Sequence, residues 1–122
     1  MARILIIDDD EILSGLLQLT LELEGHRVRQ AIDGDVGLEC MAAERFDLIL
    51  LDLVMPRMDG IKFLRLLNER GLHRPPVLIV SSAATGALTE QHRALGVVDI
   101  LRKPVEPAEL VGRITAALGA RG

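Results

Sequence analysis

Tryptophan and tyrosine are absent from this chain, and Phe46 and Phe63 supply its only phenyl rings. Stacking of nucleic-acid bases on aromatic platforms is thereby nearly excluded. Positive charge is short as well: 14 Lys and Arg face 18 Asp and Glu, a formal net charge of −4, which argues against a phosphate-backbone binder. Cysteine occurs once, at Cys40, so no internal disulfide can form and a reducing compartment fits. Cys40 itself reads as a small residue on a half-buried helix face. No apolar stretch approaches the roughly 20 residues that span a bilayer. The opening "MARILIIDDD" runs into acid too soon to be a signal peptide. These absences predict a cytoplasmic chain that binds neither membrane nor, directly, nucleic acid. What is present is 122 residues, 49% of them hydrophobic, enough for one domain with a core of Leu, Ile and Val.

Three short apolar runs, "ILII" (4–7), "LILL" (48–51) and "VLIV" (77–80), suit strands buried on both faces of a parallel sheet. "HRVRQAI" (26–32) carries Arg27 and Arg29 and reads as an edge strand guarded by charge; "VDIL" (98–101) would form the other edge. Between the runs the spacing turns helical. Leu13, Leu16, Leu17 and Leu21 share a stripe in 11–24, with Gly25 placed as a stop. Ile61, Leu64 and Leu67 do the same in 60–70, ahead of Gly71, and Leu110, Val111, Ile114 and Leu118 line 106–118, with Pro107 suited to the first turn. Helices over 34–44 and about 86–94 complete five βα units, the fourth with the poorest stripe. Right-handed crossovers then give a doubly wound five-stranded α/β sheet with helices on both faces.

In such a sheet ligands gather at the carboxyl ends of the strands. There the first strand ends in Asp8-Asp9, the third in Asp52, the fourth in Ser81-Ser82, and the fifth near Lys103-Pro104. Each has an ordinary reading: Asp10 as a helix cap, Glu11 as a helix-dipole partner, Asp52 as a turn residue, Ser81 as a backbone-bonded hydroxyl, Lys103 as a solvated lysine. Their convergence on one rim is what points to chemistry. Two bare carboxylates about 4 Å apart repel by roughly 4 kcal/mol at an intermediate dielectric. A hard divalent cation such as Mg²⁺, held by one or two carboxylates, removes that repulsion. It also neutralises a phosphoryl group that a carboxylate nucleophile can attack to form an acyl phosphate. An ammonium and a hydroxyl stabilise the remaining phosphoryl oxygens.

The ordered set "IIDDDE", "LLDLVMPRMDG", "VLIVSSA" and "LRKP" resembles the receiver domain of two-component response regulators over nearly the whole chain, so that 1–122 reads as one such domain with strand order 2-1-3-4-5. The resemblance implies that Asp52 is the phosphoacceptor, that Asp9 ligates Mg²⁺ (or Mn²⁺) directly, and that Asp8 acts beside it through water. The Val54 main-chain carbonyl would complete the metal shell. Lys103 would pair with the phosphoryl group, Ser81 would be the switch hydroxyl, and the N–H groups of Val54 and Ser82 would donate to phosphoryl oxygens. Pro56 and "MDG" (58–60) would shape the turn into the third helix, and Lys103-Pro104 is a candidate cis peptide. The donor would be a histidine kinase or a histidine phosphotransfer protein. The output surface would be the face of the fourth helix, fifth strand and fifth helix, which also offers a homodimer contact. Such a domain catalyses only its own phosphorylation and slow dephosphorylation.

Two positions depart from the family pattern, and two more bear on the lifetime of the acyl phosphate. The strand-five switch position is Ile100 where an aromatic is usual, and Val105 follows "KP" where Phe is usual. An aliphatic core that repacks, or signalling through the fourth helix alone, accommodates both. Val54 and Ala83, two residues past Asp52 and Ser81, cannot hydrogen-bond a hydrolytic water, which predicts an acyl phosphate lasting on the order of hours. His26, His73 and His92 have no metal-like spacing and read as surface residues. Asp99 and Arg113 read as an intrachain pair or as solvated charges. Three rival readings remain. "DDDEI" also parses as Asp8-x-Asp10, the nucleophile motif of haloacid-dehalogenase-like phosphatases, though Ile12 stands where Thr or Val is usual. A degenerate receiver acting as a binding module is the second, against which the complete residue set argues. Flavin binding is disfavoured, because the first strand leads into carboxylates. The sequence is compatible with a stand-alone receiver and with one continuing past Gly122 into an effector domain.

Overall fold

The structure, a computed structural model, describes residues 1–83 and 87–119. Five strands alternate with five helices: β1 Arg3–Ile7, α1 Glu11–Leu23, β2 Arg27–Ala31, α2 Gly34–Ala43, β3 Leu48–Leu51, α3 Gly60–Glu69, β4 Val77–Ser81, α4 Glu90–Ala94, β5 Val97–Arg102 and α5 Pro107–Gly119. The strands are all parallel, in the order β2-β1-β3-β4-β5. The apolar runs form the buried centre because each of their side chains meets a helix layer on one face or the other. Ile4, Ile6, Leu48 and Leu50 pack with Leu17 and Leu21 of α1 and Leu110 and Ile114 of α5. Leu5, Ile7, Ile49 and Leu51 pack with Leu38 of α2 and Phe63, Leu64 and Leu67 of α3. Burying one such side chain contributes about 1.5–3 kcal/mol, so a centre with no hydrophilic position is what fixes this sheet.

Local signals set the boundaries. Asp10, Asp33 and Asp59 cap α1, α2 and α3 by accepting from Leu13, Val36 and Lys62 N–H. Gly25 and Gly71 close α1 and α3 with φ of 91° and 65°. Two expectations change. Leu16, assigned to the core stripe of α1, is 53% exposed, because it lies about 140° round the helix from buried Leu21 at 100° per residue. With Ile12, Leu19 and Leu23 it forms a second apolar stripe that faces solvent. The fourth helix begins at Glu90, later than expected, because Thr89 starts it with a capping box to His92; of the expected span, Gly86 lies outside the described residues.

Candidate functional site

Strand register builds the site. Ile7 of β1 lies beside Leu51 of β3, and Asp52 N–H donates to the Ile7 carbonyl at 3.0 Å. The next residue of each strand is therefore an aspartate at the same rim. Asp8 and Asp52 are buried (4% and 6% exposed), Asp9 is exposed, and one carboxylate oxygen from each lies within 4.8 Å of the others. Lys103, just past β5, crosses the rim: its Nζ donates to Asp8 Oδ2 at 2.7 Å and to Asp52 Oδ2 at 3.4 Å. The second Asp8 oxygen accepts from Asp10 N–H at 2.9 Å, and Val54 N–H donates to Asp52 Oδ1 at 3.2 Å.

Three carboxylates and one ammonium leave this rim two negative charges in excess. Burial pushes the Asp8 carboxyl above its ordinary 3.8, and the Lys103 hydrogen bond offsets this only in part. Burial pulls the Lys103 ammonium down, but the hydrogen bond and charge of Asp8, joined by Asp52, outweigh it and hold Lys103 above 10.5. The lysine is firmly charged and still insufficient. A donor set of hard carboxylate oxygens lacking two positive charges fits Mg²⁺ in charge and in chemistry. Among the described residues Asp8, Asp9 and Asp52 form the only such carboxylate, histidine or cysteine group.

The remaining expected residues fall around this core. Ser81 ends β4 fully buried; its hydroxyl accepts from Ala83 N–H at 3.2 Å and, among the described residues, makes no hydrogen bond to Asp52 or Lys103. Ser82 follows at the surface. Ile100 is half-buried against the α2/α3 core. The Lys103-Pro104 peptide is cis. Gly60 must be glycine, because a Cβ there would stand 2.6 Å from the Asp52 carbonyl oxygen. Asp99 does pair within the chain, accepting from Arg113 Nη1 at 2.7 and 2.9 Å, and this bond raises the Arg113 guanidinium. His73 is exposed, whereas His26 and His92 are half-buried acceptors of backbone N–H groups. Cys40 is more buried than a half-buried face implies. Sequence reasoning missed Asp33 and Arg57, whose side chains pair at 2.8 Å across the loop beside Asp52. The one available signal was Asp33 before Gly34, a helix-cap pattern.

Comparison with known proteins agrees with this geometry. The family described as the response regulator receiver domain matches residues 4–115. The transcriptional regulatory protein CpxR of Escherichia coli K12 is 39% identical over 118 residues, covering 97% of this chain and 50% of that protein. The DNA-binding dual master transcriptional regulator RpaA of Synechocystis is 37% identical over 121 residues, covering 97% and 49%. The chain thus spans about half the length of these curated relatives. The chemotaxis protein CheY4 of Vibrio cholerae superposes with a TM-score of 0.86 at 27% identity, over 96% of this chain and 98% of that one. Among the described residues no helix is long and apolar enough to cross a membrane.

Proposed function

The chain belongs to the response regulator receiver domain family, and from that premise we propose that residues 1–122 act as the phosphoacceptor of a cytoplasmic two-component phosphorelay. The convergence of Asp8, Asp9, Asp52 and Lys103 on one rim carries the reading. An oxygen of Asp52 attacks the phosphorus of a phosphohistidine on a histidine kinase or phosphotransfer protein. The P–O bond forms as the P–N bond breaks, and the electron pair of that bond leaves with the imidazole, which takes a proton from solvent. Asp8, Asp9, Asp52 and the Val54 carbonyl would hold Mg²⁺ or Mn²⁺, which when bound neutralises the phosphoryl oxygens and the crowded carboxylates. Lys103 trades its contact with Asp52 for the phosphoryl group, and the N–H groups of Val54 and Ser82 donate to it. The domain turns over no other substrate.

The donor approaches along α1. Its exposed stripe of Ile12, Leu16, Leu19 and Leu23 runs toward a groove of about 530 Å³ that Leu16, Lys103 and Pro104 help line. An amphipathic helix of the donor fits such a stripe. On the output side, Ser81 swings from Ala83 toward the phosphoryl group, and Ile100 and α4 repack on the face of α4, β5 and α5, which presents to an effector or to a second copy. The phosphatase alternative requires a free Asp8 nucleophile and Asp10 as its partner. The Asp8 oxygens are held tightly, at 2.9 and 2.7 Å, where those of Asp52 are held loosely, at 3.2 and 3.4 Å, and the Asp10 carboxylate caps α1, so that reading is the weaker one. Acetyl phosphate with Mg²⁺ should add one phosphoryl group, seen by intact mass, in wild type and not in Asp52→Asn. An adduct that survives Asp52→Asn and disappears in Asp8→Asn would establish the phosphatase-like chemistry instead.

A further inference from the structure

The loop between Asp52 and α3 is held at three points. Gly60 N–H donates to the Leu53 carbonyl at 3.0 Å, closing the loop at its base. Met58 lies against the start of α2, its sulfur 2.5 Å from where a Cβ on Gly34 would stand. Arg57 reaches back to Asp33, donating from Nη2 to Oδ2 at 2.8 Å. Asp33 is the better placed partner: its side chain is only 12% exposed, and its other oxygen already caps α2 through Val36 N–H. Arg57 is 73% exposed and adopts φ of 66°, a left-handed conformation that strains any residue with a Cβ. Such strain persists where the surroundings impose it, and it concentrates next to working sites.

The placement of this pair suggests what it does. β1, which delivers Asp8 and Asp9, lies between β2 and β3. Asp33 begins the helix after β2, and Arg57 belongs to the loop after β3. The ion pair therefore spans from one flank of the acidic cluster to the other. Only Met55 and Pro56 separate Arg57 from Val54, and neither gives slack, because Met55 is buried and proline fixes its own φ. We propose that Arg57 and Asp33 form a latch that positions the Val54 peptide over Asp52 and so pre-forms the divalent-cation site. The inference rests on the receiver reading above. Arg57 is a positioning residue: it touches neither metal nor phosphoryl group, and acts through Val54. Outer partners of this kind commonly tune metal affinity by tenfold or more.

Two variants isolate the latch. Asp33→Asn keeps an oxygen to cap α2 and removes the charge that Arg57 meets. Arg57→Gly removes the guanidinium and relieves the left-handed strain. Because the chain lacks Trp and Tyr, Mg²⁺ affinity is read by calorimetry, with melting temperature and amide exchange over 54–58 alongside. Because Arg57 acts one step removed, through Val54, and is 73% exposed, each single variant should weaken Mg²⁺ less than the loss of a partner bonded directly to a ligand, about threefold to tenfold, and the double variant should be no worse than either single. The Val54, Met55 and Met58 amides should exchange faster in the metal-free variants than in metal-free wild type, Arg57→Lys should retain more affinity than Arg57→Gly, and added NaCl should shrink the difference between wild type and variants. Wild-type affinity in both variants, or losses that multiply in the double variant, overturns the latch while leaving the receiver reading intact. A wild-type protein that takes up no Mg²⁺, or whose uptake survives Asp52→Ala, overturns both.

Discussion

The helices that follow the two central site-bearing strands are built differently. α3, after Asp52, buries Gly60, Phe63, Leu64 and Leu67 over ten residues. α4, after Ser81, is five residues long and buries none of them. One side of the rim is braced; on the other, among the described residues, the capping box, the adjoining Leu95 and half-buried Leu88 hold the helix. A carboxylate that must meet an incoming phosphorus in a fixed geometry belongs on the braced side. An element that must answer the new charge belongs where local opening costs little. Under the proposed function the same rim would separate receiving from responding, and the packing behind each strand would mark which is which.

Four measurements break or sharpen that contrast. The largest effect is expected at the acceptor: Asp52→Asn should reduce phosphoryl uptake from acetyl phosphate to background, while Ser81→Ala should still be labelled, with a weaker response in α4 amide exchange. If Ser81→Ala alone abolished uptake, receiving and responding would not be separate. Next is the lifetime of the adduct. The side chains of Val54 and Ala83 offer hydrolytic water no hydrogen-bond partner, and a lost positioning contact costs roughly 10²-fold, so the phosphorylated protein should persist for about hours in Mg²⁺ buffer. A half-life of seconds, by loss of label, would contradict this.

The third compares the helices directly. Leu67→Ala in α3 should cost about 2–5 kcal/mol by chemical denaturation. Thr89→Ala at the α4 cap should cost about 1 kcal/mol and show mainly as faster exchange in α4. Equal losses would dissolve the distinction. The smallest effect concerns charge. A carboxyl held above its ordinary value contributes stability below pH 3.8 that is lost as pH rises through its shifted value, so ionised Asp8 weakens the metal-free fold at pH 7. Asp8→Asn should raise the metal-free melting temperature by a few degrees at pH 7, and less as pH falls toward 4. Mg²⁺ should stabilise wild type more than this variant. Lys103 follows the same direction in a much higher window: its contribution is complete below 10.5, hence intact at pH 7, and fades only as pH rises through its raised value.

Much of this architecture was legible before any coordinates. Continuous apolar runs of four residues bounded by acid or hydroxyl residues suit buried parallel strands, too short for a helix, so β1, β3 and β4 and the residues at their ends followed together. What the sequence concealed depended on direction and on distance. Periodicity revealed that α1 is rich in leucine, but its leucines follow two stripes, and spacing alone does not tell which meets the sheet; Leu16 was assigned to the wrong one. α4 lacks a stripe, so its start could not be timed and only Thr89 marks it. The Arg57–Asp33 contact joins residues 24 positions apart, beyond any local pattern. Cap signals, by contrast, are local, and Asp10 was recognisable as one.

The outward stripe of α1 also bears on how the protein behaves in a tube. Four wet aliphatic side chains in a row are adhesive, and mutual repulsion between molecules carrying a net charge of −4 opposes that adhesion. Near the isoelectric point of about 5.3 the repulsion vanishes, and concentrated salt screens it at any pH. Clouding and reversible precipitation should set in under either condition, and a single Leu19→Glu exchange, which breaks the stripe and adds to the negative charge, should keep the solution clear.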